Sequence, residues 1–125
     1  MTIQHRRAGS IAVVEASGRY DVAELRAAIE ASVAAFGAGG AAGLLFDLTD
    51  STSLGDRPTD EVRAMAYFIA SKGGSFAERL AMVTGSDVAY GMMRLGAVVA
   101  ESQGLSARVF RDRAEALVWL TSPSA

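Results

Sequence analysis

Four carboxylates gather in one stretch of the chain: Asp47, Asp50, Asp56 and Asp60. A Mg²⁺ site would take one or two such groups together with a phosphate ligand. A phospho-accepting receiver site would also need an acidic pair on the preceding strand and a lysine further on. Here the earlier apolar segment ends with Glu15 alone, and Leu80–Thr84 has no lysine. Solvated caps and turns are therefore the simpler reading of the four acids. Ser51, Thr52 and Ser53 follow in the same loop, at the carboxyl end of an apolar strand, where α/β proteins place their sites. They could accept a phosphate or bind an anion, and they could equally serve the turn itself. The second chemical edge is Thr84-Gly85-Ser86-Asp87, which opens a helix carrying Tyr90 and, farther along, Arg94. A helix start offers free N–H groups to an anion; Ser86 or Asp87 as an N-cap is the plain alternative.

Several chemistries are excluded by what the chain has little of. There is no cysteine, so no disulfide, thiolate metal site or thiol nucleophile, and the single histidine is His5, next to the amino terminus. Twelve basic residues against 14 acidic ones leave a formal charge of −2, which argues against a nucleic-acid binder. Arg108, Arg111 and Arg113 alternate with Asp112 and Glu115 and read as a solvated face. The glycines at 37, 39, 40 and 43 precede a strand, whereas a dinucleotide loop follows one, so they read as a flexible connector. Lys72-Gly-Gly-Ser75 holds P-loop residues in the wrong order. Charges interrupt every apolar stretch well before the roughly 20 residues of a membrane span, and no secretory signal is visible. A soluble cytoplasmic protein without a cofactor is expected. At 125 residues, half of them hydrophobic, the chain is expected to form one domain over residues 1–125.

The elements that must position these groups are well marked. Thr2–Arg6 and Ile11–Ala16 read as a hairpin turning at Ala8-Gly9-Ser10. Asp21 and Glu24 form a capping box, with Tyr20 poised to staple onto Leu25. Val22, Leu25, Ile29, Val33 and Phe36 then mark one helical face ending at Gly37. Leu44–Leu48 is a strand. A second helix starts near Thr59 with Val62, Met65, Ala66 and Ile69 inward, and closes at Gly73-Gly74. After the strand Leu80–Thr84, a third helix presents Val88, Met92, Leu95 and Val99 and ends at Gly104. Arg108–Phe110 is the last strand, and a second capping box, Asp112 with Glu115, opens a helix holding Leu117 to Leu120. The order β-β-α-β-α-β-α-β-α implies an α/β fold of about five strands and four helices, parallel apart from an edge hairpin.

These segments resemble the SpoIIAA-like, or STAS-like, bacterial proteins. The resemblance rests on Leu44–Leu48 with its Asp-Leu ending, Leu80-Ala-Met-Val83, Tyr90-Gly91 with Arg94, and Arg108-Val-Phe-Arg-Asp112 followed by Glu115-Ala-Leu-Val-Trp-Leu120. It implies a singly wound (βα) superhelix with an initial hairpin. It further implies a non-enzymatic regulatory module that binds a protein partner, as anti-sigma-factor antagonists bind a kinase under control of a phosphorylated serine. Their motif runs Asp-Leu-Ser and then Asp-Ser-Ser-Gly. Asp47-Leu-Thr49 matches its beginning, but after Asp56 this chain has Arg57-Pro58-Thr59, a departure at the switch serines themselves. Ser51, Ser53 and Thr59 are the nearest hydroxyls. The fold also resembles the CRAL-TRIO lipid-exchange domains, which implies an apolar ligand between sheet and helices.

Three functions are thus set against one another. A regulatory module would engage its partner through the loop from Asp47 to Thr59. A small-molecule carrier would use Met65, Tyr67, Phe68, Tyr90, Met92 and Met93, with Arg94 holding a polar head. A carboxylate enzyme would need Asp47, Asp50 or Asp56 to converge with Ser86 or Arg94. The open edge of the hairpin invites homodimerisation, which the sequence does not fix.

Overall fold

A computed structural model of the chain describes residues 2–51 and 58–122. Five strands form one sheet in the order β1 (Thr2–Ala8), β2 (Ile11–Ser17), β3 (Gly43–Asp47), β4 (Arg79–Val83), β5 (Ser106–Phe110). β1 and β2 pair antiparallel with Ala8 opposite Ile11, and every later pair is parallel. Each of the three βαβ steps moves one strand in the same direction. Because such crossovers share one hand, the intervening helices must lie on one face. These helices are α1 (Val22–Ala34), α2 (Thr59–Ser71) and α3 (Asp87–Ser102). The fourth helix, α4 (Arg113–Thr121), follows the last strand, so no crossover binds it, and it covers the opposite face. This is the singly wound arrangement with an amino-terminal hairpin that the family resemblance implies, and β1 is an outer strand, as expected of the hairpin.

Strand alternation distributes the core. Ala12, Val14, Leu44, Phe46, Leu80 and Met82 point to the three-helix face, while Ile11, Val13, Leu45, Ala81 and Val83 point to α4. Both faces are covered, which is why these strands read as unbroken apolar runs. α4 buries Ala116 and Leu120, and Arg79 at the start of β4 donates to the Trp119 carbonyl at 2.7 Å.

Helix starts follow the sequence. The Asp21 side chain accepts from the Ala23 and Glu24 amides at 2.7 and 3.3 Å, Ser86 accepts from Ala89 at 3.1 Å, and Asp112 accepts from Ala114 at 2.9 Å. Tyr20 is buried in the same cluster as Leu25.

Two expectations need correcting. The buried face of α3 is Ala89, Met93, Gly96, Ala97 and Ala100, one position on from the bulky set, and Val88 is 65% exposed. Apart from Met93 this face is made of small residues, and α2 lies against it: a Cβ built on Gly96 would be in ordinary contact, 3.8 Å from Val62 and 4.0 Å from Ala66. The connector over 37–43 is also not a loose one. It begins with a 3-10 turn over Gly37–Gly39, and the Ala41 and Ala42 amides donate to Ser75 and Ser10, both at 2.8 Å. Gly40 has φ +67°, and a Cβ there would meet the Ser75 carbonyl oxygen at 2.7 Å, so the close approach requires glycine.

Candidate functional site

The carboxyl ends of β2, β3 and β4 form one stitched edge. Gly18 donates its amide to the Asp50 carbonyl (2.9 Å), Leu48 to Val83 (2.9 Å) and Thr84 to Phe110 (3.1 Å). The loops after β3 and β4 also touch, since a Cβ on Gly85 would lie 3.3 Å from the Thr49 carbonyl oxygen. These bonds hold the edge as a fixed surface.

At its centre sits Asp47, only 8% exposed. Its Oδ1 accepts from the Thr49 amide at 2.9 Å and the Thr49 hydroxyl at 2.6 Å. Its Oδ2 accepts from Arg113 Nη1 at 3.2 Å, and the same nitrogen donates to Glu15 Oε2 at 2.8 Å. Arg6 Nε reaches Glu15 Oε1 at 3.1 Å. Parallel register sets Glu15 beside Asp47, both on the α4 face, so the columns Ile11-Val13-Glu15 and Leu45-Asp47 each end in a carboxylate. The first residue of α4 supplies the guanidinium that neutralises them. Two arginines balance two acids: three of the four carboxylate oxygens accept a hydrogen bond, and Glu15 Oε1 has the Arg6 ion pair.

Sequence reasoning found Asp47 but not Arg113, Glu15 or Arg6. By its alternation with Asp112 and Glu115, Arg113 belongs to a solvated face; the structure instead pairs it with Glu15 and Asp47. The available signal was parity: once β2 and β3 are adjacent and parallel, terminal acids on both strands must share a face and require a cation.

The remaining candidates fall into two groups. Ser51 lies near the Asp47 edge, half-buried, bridging Gly18 in parallel fashion and donating its amide to Leu48 at 3.0 Å. Thr59 is exposed as the first residue of α2, behind Pro58, and Asp60 and Glu61 complete that turn. Ser53 and Asp56 lie outside the described residues. The second group surrounds the start of α3. Ser86 is the N-cap; Asp87 pairs with Arg111, whose guanidinium lies 4.8 Å from the centre of the Tyr90 ring. Arg94 is exposed and, with Tyr90, lines a groove against β5.

The chemical alternatives fare differently. Among the described residues no three His, Cys, Asp or Glu side chains are grouped to hold a metal ion. Between sheet and helices there is an apolar cavity of about 50 Å³, lined among others by Met65, Met82, Met92 and Met93. An apolar cavity of roughly 150 Å³ is enough to hold a benzene, so this smaller one gives no specific support to a lipid ligand. Tyr90 and Arg94 border the β5 groove rather than this cavity, which separates the polar head from the apolar contacts expected of a carrier. Among the described residues no helix is long and apolar enough to cross a membrane.

No curated protein matches the chain. A family model described as SpoIIAA-like matches residues 11–121. The matched region runs from β2 to the end of α4, the part of the chain that builds the parallel sheet, its three one-face helices and the arginine-bridged acid pair. Domains of this kind are non-enzymatic regulatory and protein-interaction modules, which accords with an edge whose central charges are satisfied internally. With the family model spanning all but the first strand and the tail, the chain belongs to the SpoIIAA-like family.

Proposed function

We propose that this protein is a cytoplasmic docking module whose partner, another protein, is engaged by the carboxyl edge of the sheet from Asp47 to the first turn of α2. The observation that carries the reading is the closed Arg6–Glu15–Arg113–Asp47 network. Its charges neutralise one another and lock β2, β3 and α4 together, which suits a rigid platform and leaves no free base to act on a substrate. Around it Asp50, Thr49, Thr59, Asp60 and Glu61 are exposed and give the platform an acidic, hydroxyl-bearing rim.

The rim acts without a phosphate switch. Asp60 and Glu61 already place negative charge in the first turn of α2, where the helix dipole favours it. A phosphate on Thr59 would sit beside like charge, which disrupts rather than orders.

The test is recovery of a partner from native lysate by the immobilised chain, compared with the Thr59→Glu and Asp56→Lys variants. One specific partner is expected, with recovery reduced about tenfold by either change, equivalent to roughly 1.4 kcal/mol at an interface. Recovery indifferent to both changes would overturn the reading.

A further inference from the structure

β5 is the other outer strand of the sheet, and its free side is lined for occupation. The Ser106 amide donates to Glu78 at 2.8 Å and the Phe110 carbonyl accepts from Thr84 at 3.1 Å, so residues 106, 108 and 110 direct their backbone groups toward β4. By strand alternation the N–H and C=O groups of Ala107 and Val109 point away from the sheet. Among the described strands none lies on that side. A groove of about 330 Å³ follows this edge, walled by Ala107, Arg108 and Val109 on one side and by Tyr90, Arg94, Val98 and Glu101 of α3 on the other.

We propose that this edge docks an extended acidic peptide segment of a protein partner, which adds to the sheet as a sixth strand. The inference stands apart from the carboxyl-edge reading. An unpaired edge supplies affinity through main-chain bonds, and pockets for alternate side chains supply selectivity. Both kinds of pocket are present. On the α3 side, Val98 is 59% exposed and offers an apolar contact that nothing else in the described fold uses. Arg94 stands one turn before it. On the α4 side, Arg108 lies 5.9 Å from the Trp119 ring centre and 5.5 Å from that of Phe110, a stacked and oriented guanidinium. Neither Arg94 nor Arg108 has a carboxylate partner among the described residues, in contrast to Arg6, Arg111 and Arg113. Carboxylates on a docked strand would meet both.

Charge also decides against a second copy of this chain. An antiparallel two-fold along β5 that pairs Ala107 with Val109 of the other copy sets Arg108 against its own counterpart, and like charges directly opposite destabilise a strand pair. An acidic strand sets opposite charge against Arg94 and Arg108, with Glu101 the one carboxylate on the groove wall.

The experiment uses two capped heptapeptides, Thr-Glu-Val-Glu-Glu-Glu-Thr, which carries carboxylates on both faces of a strand, and its lysine equivalent, titrated into the isotope-labelled protein and followed by amide NMR and hydrogen exchange. The acidic peptide is expected to shift the Ala107 and Val109 amides and slow their exchange at least tenfold, and the lysine peptide to do neither. The double variant Arg94→Glu/Arg108→Glu should exchange these preferences. Val109→Pro, which removes an outward donor where an edge tolerates proline, should abolish binding while the protein stays folded, at a lower melting temperature because Val109 also packs on the core; should it unfold the protein, the charge-exchange variant decides alone. Perturbations away from β5 and α3, or no binding by either peptide, would overturn the proposal. Protection of Ala107 and Val109 that grows only with protein concentration would instead identify a second copy as the occupant and would equally overturn it.

Discussion

Arg113 is the residue on which the carboxyl edge depends. It is separated by 66 positions from Asp47 and by 98 from Glu15, yet one nitrogen donates to both. Replacing it by Met leaves two adjacent acids, one of them nearly buried, with a single remaining arginine at the rim. Exposed pairs contribute at most about 1 kcal/mol, and breaking a fully buried pair costs about 3–5 kcal/mol. The side chains here are 27%, 31% and 10% exposed, between those limits. Arg113→Met should therefore lower stability by about 2 kcal/mol in chemical denaturation. Adding Asp47→Asn and Glu15→Gln should recover much of that loss. Equal stability of the single and triple variants would show that the bridge is not the reason the acids are tolerated. Asp47 was legible from the sequence because an acid ending an apolar strand is conspicuous. Arg113 was not, because a cation just past a capping aspartate looks like any solvated helix residue until the strand order is known.

At the level of elements, local chemistry was the most legible part. Asp21, Ser86 and Asp112 all cap the helices they precede. Ser86→Ala should cost about 1 kcal/mol in a thermal or denaturant melt, the usual value of a lost cap. Thr59→Ala should stay within about 0.5 kcal/mol, since Pro58 occupies the cap position of α2 and no side-chain cap bond is made there. If the two variants melt alike, the cap assignments are wrong. The face of α3 was misread because periodicity weighs bulk. Val88, Met92, Leu95 and Val99 satisfy the helical spacing, but the face turned inward is Ala89, Met93, Gly96, Ala97 and Ala100, four of them too small to register as an apolar stripe. The span of β5 was likewise short by two residues, because Ser106 and Ala107 lack the β-branched signature and are recruited by pairing with β4.

For the whole molecule, the one-handed winding leaves a single helix to cover the back of the sheet. Leu120 carries much of that contact, and Gly43 makes room for it: a Cβ on Gly43 would lie 2.8 Å from a Leu120 methyl. Residues 43 and 120 are too far apart for any local pattern to reveal the fit, so Gly43 reads in sequence as one more glycine of a loose connector. Leu120→Ala should destabilise by about 3 kcal/mol, within the range for emptying a buried leucine site, and Gly43→Ala by about 1–2 kcal/mol through overpacking. The double variant should cost clearly less than the two added together, since neighbouring sites that share a contact are not additive. Strict additivity would mean that α4 does not pack over β3 as described.

The proposed partner would sit on the carboxyl edge, and not at the opposite end of the sheet. Photo-crosslinking locates this most directly. A photoreactive amino acid at Thr59, at the start of α2, is compared with one at Gly9 in the hairpin turn, at the amino end of the parallel strands. In native lysate the account predicts one discrete crosslinked protein from position 59 and none from position 9. Equal crosslinking from both positions, or crosslinking from position 9 alone, would contradict it.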